Sequence, residues 1–345
     1  MTVRLEQLRR CHFAVDLGAA RTRVYVKGAG LVVDQPSVAA VNTRSGSLMG
    51  VGDFAERMTG RTPGYIRVVR PISGGTVVDI EMAQRMLRQL LGDKVRRALR
   101  RNLRLRAAAC TPHGADPLAQ RATVETLVGL GARRVELVDT LIAAAVGCGL
   151  PVERPEATMI MMCGAAATQV AVLSLGAVVT AERVPVGGEV VDQAIVQHLR
   201  HAHELILPSQ SVRPLQLALS GNGLTSQGPS STVINGRDVV TGLARSVRVD
   251  TAAVREAIET PLTAVLDGIG KVLRDCPPDL VADLADRGIT MVGGSALLPG
   301  FEQMLRQATG MPVHIAETPD ICAIQGIGAM LEGRIEPLVL NPLAA

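Results

Sequence analysis

Two short turns carry the residue types best suited to chemistry: Asp16-Leu17-Gly18-Ala19-Ala20-Arg21-Thr22 and Met162-Cys163-Gly164-Ala165-Ala166-Ala167-Thr168. Each follows an apolar run, at residues 13–17 and 159–163, and precedes an alternating one, at 23–27 and 169–173. Glycine and alanine let backbone N–H groups approach a ligand closely, so each turn is suited to bind phosphate without help from side chains. Two such turns facing one cleft form a clamp around a phosphate chain. The GxxxxGK[ST] and GxGxxG patterns of single-loop nucleotide sites are absent from both.

The elements that must position these turns are themselves duplicated. Residues 16–33 lie over residues 162–179 at a constant offset of 146, and nine of the eighteen pairs are identical, among them Gly18/Gly164, Ala19/Ala165, Ala20/Ala166 and Thr22/Thr168. A repeat of this kind predicts two copies of one supersecondary unit. Around the copies, helical signals at 81–91, 117–130, 140–148, 189–203 and 250–275 alternate with strand signals at 103–110, 134–138 and 289–292. A Gly/Ser/Pro-rich loop is expected at 220–231. Such alternation predicts an α/β fold, and 345 residues predict two domains.

Composition narrows the function classes. With 47% hydrophobic and 20% charged residues the chain reads as globular, and no apolar run reaches the roughly 18–20 residues of a membrane span. Residues 1–11 lack the core of a signal peptide, so a cytoplasmic location is expected. The six cysteines are scattered without metal spacing and read as packed, reduced thiols. A net charge of +4 is small for this length and says little about nucleic acid, but the almost complete lack of aromatic residues argues against stacking on single strands, and no nucleic-acid partner is expected. Seven basic residues (Lys94, Arg96, Arg97, Arg100, Arg101, Arg104 and Arg106) fall within thirteen positions. They read either as a solvated helix end or as a dock for anionic lipid, at about 1 kcal/mol per residue. The N-terminal stretch 3–10 has a weak amphipathic pattern compatible with peripheral membrane contact.

The runs FAVDLGAARTRVYVKGAGLVVDQPSVAAV (13–41), GRTPGYIRVVRPISGGTVVDIE (60–81), AAAVGCGLPV (143–152), GRDVVTGLARSV (236–247), CPPDLVADLADRGITMVGGSALLPGFEQML (276–305) and GMPVHIAETPDICAIQGIGAMLE (310–332) resemble MreB, the bacterial actin family of cell-shape determination. The resemblance implies an actin-like ATPase fold, with two duplicated α/β domains of four subdomains around a nucleotide cleft. Domain I would comprise 1–146 plus 315–345, with a small subdomain at about 33–66; domain II would be 147–314, with its own at about 184–246. It also implies ATP and Mg2+ in the cleft, self-association into filaments, a position at the inner face of the cell membrane, and cell-wall synthesis proteins as partners.

The same resemblance assigns the site. The family's DLGTANT supplies Gly18, Ala19, Ala20 and Arg21 as nucleotide-binding positions and Asp16 as a metal position. DIGGGTT supplies Gly164, Ala165, Ala166 and Ala167, and its magnesium-holding aspartate falls on Met162, whose thioether is a poor ligand for a hard cation. EEPMAAAIG places the catalytic glutamate on Thr140, which cannot act as a base near neutral pH, with Asp139 one residue away and pointing elsewhere. The ERIK-type nucleoside contacts fall on Arg213 and Gln216, with Pro214 in an expected helix. GGGALL survives as Gly293-Gly294-Ser295-Ala296-Leu297-Leu298. These replacements predict impaired ATP hydrolysis and leave nucleotide retention open. Three roles follow: a filament subunit; a nucleotide-free scaffold that copolymerises with an intact MreB paralogue; or an active ATPase or phosphotransferase of the superfamily, such as a sugar kinase or heat-shock chaperone.

Overall fold

The computed structural model describes residues 5–100, 104–208, 211–212, 215–216 and 231–335, without the side chain of Arg100. After helix α1 (Leu5–Arg9), three strands follow in turn, β1 (Phe13–Leu17), β2 (Arg21–Val26) and β3 (Gly30–Pro36). A small sheet follows, of β4 (Ala39–Asn42), β5 (Leu48–Val51) and β6 (Ile66–Val69), with α2 (Gly52–Met58) between its last two strands. A hairpin of β7 (Ile72–Ser73) and β8 (Thr76–Val77) leads into α3 (Ile80–Arg100), β9 (Arg106–Thr111), α4 (Pro117–Val128), β10 (Arg134–Asp139) and α5 (Thr140–Gly147). The principal sheet has the order β10-β9-β1-β2-β3, antiparallel from β1 to β3 and parallel from β1 to β10.

The second half repeats this plan with β11 (Thr158–Cys163), β12 (Thr168–Ser174), β13 (Ala177–Val184) and α6 (Gly188–His203). A small sheet of β14 (Leu205–Ile206), β15 (Ser231–Asp238) and β16 (Ala244–Asp250) comes next, then α7 (Thr251–Asp275), α8 (Pro278–Arg287), β17 (Ile289–Val292), a 3-10 turn at Gly294–Leu297, α9 (Phe301–Thr309), β18 (Val313–Ile315) and α10 (Cys322–Glu332). Its sheet, β13-β12-β11-β17-β18, has the same topology as the first. The 146-residue repeat is therefore a repeat of structure.

Local signals explain most boundaries. Asp116, Asp139 and Asp250 cap α4, α5 and α7 by accepting from Ala119, Leu141 and Ala252 N–H, and such caps are worth about 1 kcal/mol each. The helix expected at 81–91 runs on to Arg100, broken only at Gly92, whose φ of 61° belongs to the left-handed region. Past that break Leu99 turns into the core while Lys94 and Arg97 stay exposed, so part of the basic run is the outer face of a helix. The strand expected from residue 103 begins at Arg106; residues 101–103, and the loop expected at 220–231 apart from Ser231, lie outside the described residues.

Helices α5 and α10 join the halves. Between the sheets, Leu141, Ala143, Ala144, Ile324 and Ile327 pack with Ala14 and Ala108 of the first sheet and Ile160 and Ala171 of the second. A Cβ on Gly147 would collide with the carbonyl of Cys322, and one on Gly326 with that of Ala143, so the two helices touch backbone to backbone. The stretch 3–10, read as membrane-facing, is different from expectation in its described part, 5–10. Leu5 and Leu8 are buried in this same core, and Arg9 donates to the carbonyl of Ile335 at 2.9 Å. The protein's own interior covers that apolar face.

Candidate functional site

The two turns end the equivalent strands β1 and β11 and share one backbone geometry. Gly18 N–H donates to Arg21 O at 3.1 Å, and Gly164 N–H donates to Ala167 O at 3.0 Å. A Cβ on either glycine would stand 2.8 or 2.9 Å from that same carbonyl, closer than a side chain tolerates. Both turns are tied to the next segment of their own half. Ser37 Oγ donates to Gly18 O at 2.6 Å, and Gly188 N–H donates to Gly164 O at 3.1 Å. The buried hydroxyls of Thr22 and Thr168 bond to Ser37 Oγ and Val186 O, each at 2.8 Å.

The third motif joins the second turn. Ser295 Oγ donates to Gly164 O at 2.9 Å, and Gly293, at φ 90°, lies so close to Cys163 that a Cβ would strike its carbonyl. Ala296 is fully buried, whereas Gly294 is exposed. Gln216 donates through Nε2 to Asp192 on α6 at 2.6 Å. Arg213 and Pro214 lie outside the described residues. Structure thus groups Gly164 and Ala165 with Gly293–Ala296, while Gly18, Ala19 and Ala20 belong to the other half.

Side chains on the two turns diverge. Arg21 turns onto β3, with Nε 2.6 Å from Asp34 Oδ1 and a second contact to Asp34 O at 2.8 Å. Asp16 stands directly across the β1–β2 ladder from Arg23, with Oδ2 3.9 Å from its guanidinium. Burial raises the Asp16 carboxyl above its usual range; Arg23 pulls it down and Asp34 adds to the rise. At the matching place on the β11–β12 ladder Met162 faces Gln169, and Met162 packs against the apolar core between the sheets.

Thr140 is the first residue of α5, behind its cap Asp139. Both Asp139 oxygens are engaged, Oδ1 by Leu141 N–H at 2.8 Å and Oδ2 by His113 Nδ1 at 2.6 Å. Three residues that the sequence reading passed over thus belong to the site: Arg23, His113 and Gln169. Gln169 Nε2 donates to His113 O at 3.2 Å, which links β12, behind the second turn, to the loop after β9 in the other half. The repeat offered a signal for one pair, since an offset of 146 puts Gln169 over Arg23. His113 had none, because its partner comes from a neighbouring strand.

The family model described as MreB/Mbl protein matches residues 10–337. The chain belongs to that family. The cell shape-determining protein MreB of Escherichia coli (strain K12) is 34% identical over 323 residues, 92% of each chain. The cell shape-determining protein Mbl of Bacillus subtilis (strain 168) is 32% identical over 318 residues, 92% of this chain and 95% of its own. Among solved structures, MreB5 of Spiroplasma citri bound to AMPPNP superposes with a TM-score of 0.86 at 26% identity, over 96% of this chain and 98% of that one. A MamK double helical filament superposes at 0.73, with 18% identity over 93% and 98%, a likeness of fold. The fold is the actin-like ATPase fold.

Within this MreB/Mbl framework the magnesium implied by family resemblance meets an unsuitable donor set. A hard cation needs oxygen ligands and space for its water shell. Asp16 is already matched to Arg23, Met162 offers a thioether turned to the core, and no group of three or more His, Cys, Asp or Glu among the described residues is arranged to hold a metal. These residues do not fit Mg2+.

Proposed function

We propose that this MreB/Mbl chain is an actin-like filament subunit of cell-shape determination and cell-wall synthesis, with ATP hydrolysis impaired. One observation carries the second half of that reading. The backbone of both turns keeps one geometry, while the positions for metal and water activation hold Met162 and Thr140. Positioning of the attacking water is worth about 10²–10⁴ in rate, and neither a thioether nor a threonine hydroxyl supplies it.

Nucleotide contacts are assigned to the backbone of 18–21 and 164–167, to 293–296, and to Arg213 and Gln216; support comes from the AMPPNP and ADP bound in the MreB5 structures. We assign domain I to 1–146 plus 315–345 and domain II to 147–314, a reading supported by the matching topology of the two sheets. Self-association rests on the family, and attachment to the inner face of the membrane rests on the basic run after Gly92. No helix among the described residues is long and apolar enough to cross a membrane.

Phosphate release from ATP by the purified chain, run beside E. coli MreB, tests the catalytic half. A rate at least a hundredfold lower is expected, and a comparable rate rejects the impaired site. Pelleting and electron microscopy, with and without anionic liposomes, test assembly. Polymers that form only after an intact paralogue is added would favour the copolymerising scaffold.

A further inference from the structure

Asp16 already has a cation beside it from within the chain. Arg23 lies directly opposite on the paired strand, on the same face of the sheet. Its side chain is only 8% exposed and reaches Asp34 Oδ1 at 3.2 Å and Asp320 Oδ2 at 3.3 Å as well as Asp16. Asp34 is in turn held by Arg21. Asp320 arrives from the far end of the chain, just ahead of α10. A guanidinium held from three separate segments cannot swing aside at little cost, because it would leave the mostly buried Asp16 without a cation, although Asp34 keeps Arg21 and Asp320 is half-exposed.

We infer that Arg23 is the protein's substitute for the divalent cation at the first turn, so that the loss of metal is built into both halves of the cleft. This rests on the proposed impaired site and deepens it. A cation delivered to Asp16 would meet a guanidinium already beside the carboxylate, and the repulsion would oppose binding whatever residue stands at 162. Replacing Met162 with a carboxylate therefore does not restore metal by itself. The equivalent residue of the second half, Gln169, is neutral and imposes no such barrier.

Isothermal titration with AMPPNP, in Mg2+ and in EDTA, tests this on four proteins: the unmodified chain, Met162→Asp, Arg23→Gln, and the double variant. At least tenfold tighter binding in Mg2+ than in EDTA is expected from the double variant alone. If Met162→Asp alone gains that metal dependence, Arg23 is no barrier and the inference fails, while the reading of Met162 stands. If the unmodified chain already shows it, both fail. A double variant that melts cooperatively yet shows no metal dependence also overturns the role given to Arg23. Arg23→Leu, carried in parallel with and without Met162→Asp, gives the same comparison should the glutamine variant not fold.

Discussion

The two glycine-alanine turns share a hydrogen-bond pattern and differ in what stands behind them. Behind the first, Asp16, Asp34 and Asp320 surround Arg23; behind the second, Met162 and Gln169 form a neutral pair, and Gln169 reaches across to His113. Backbone geometry answers to the strand ends and the space around each glycine, so it outlasts changes in side-chain chemistry. Charge at a site has no such protection. On the reading proposed above, one half sets Arg23 beside its carboxylate and the other carries Met162 in place of one, and both lack oxygen ligands for a metal.

The sharpest way to break this comparison is to remove the buried cation. Arg23→Ala leaves the mostly buried Asp16 without its guanidinium, while Asp34 keeps Arg21, and is expected to cost about 3 kcal/mol in urea unfolding. A cost below about 1 kcal/mol would show that the cluster is a solvated surface group. The symmetry of the turns is tested by Gly18→Ala and Gly164→Ala. Each added Cβ meets a backbone carbonyl at nearly the same distance, so both variants should lose about 1–3 kcal/mol and by similar amounts. A loss at one turn alone would mean that the shared geometry is not shared strain.

Gln169→Ala should cost only about 1 kcal/mol, the usual worth of one hydrogen bond, and should loosen the link to His113. Hydrogen exchange at the amides of His113 and Gly114 would report it, and unchanged protection there would count against the link. The smallest effect is on pH dependence. A raised Asp16 carboxyl means that burying its ionised form costs stability above the folded-state pKa, and that the cost is relieved as pH falls through that value toward the unfolded one. Asp16→Asn should flatten this part of the stability profile above the usual carboxylate range, while Met162→Leu should leave it in place.

Much of this architecture was legible because it repeats. Strand periodicity, the 146-residue offset and the helix signals from Pro117 and Thr140 led to elements whose observed ends lie within a few residues of expectation. The extension of α3 past Gly92 was missed because a helix resuming after one left-handed glycine looks, in sequence, like a helix that stopped. The amphipathic N-terminus read as membrane-facing because periodicity marks an apolar face without naming what covers it; Leu5 and Leu8 are covered by the core around α10.

By itself the sequence determined the duplicated α/β plan, the two turns and the residue types at Met162 and Thr140, because strand alternation, turn glycines and side-chain identity are local properties. Only the tertiary structure decided the partners. Asp34 joins Arg23 across a strand pairing, Asp320 comes from nearly 300 residues away, and Asp139 finds His113 on the neighbouring strand's loop. Whether a carboxylate is free to hold a metal depends on the charges folded around it, and chain folding brings those together from segments that carry no sequence mark of their meeting.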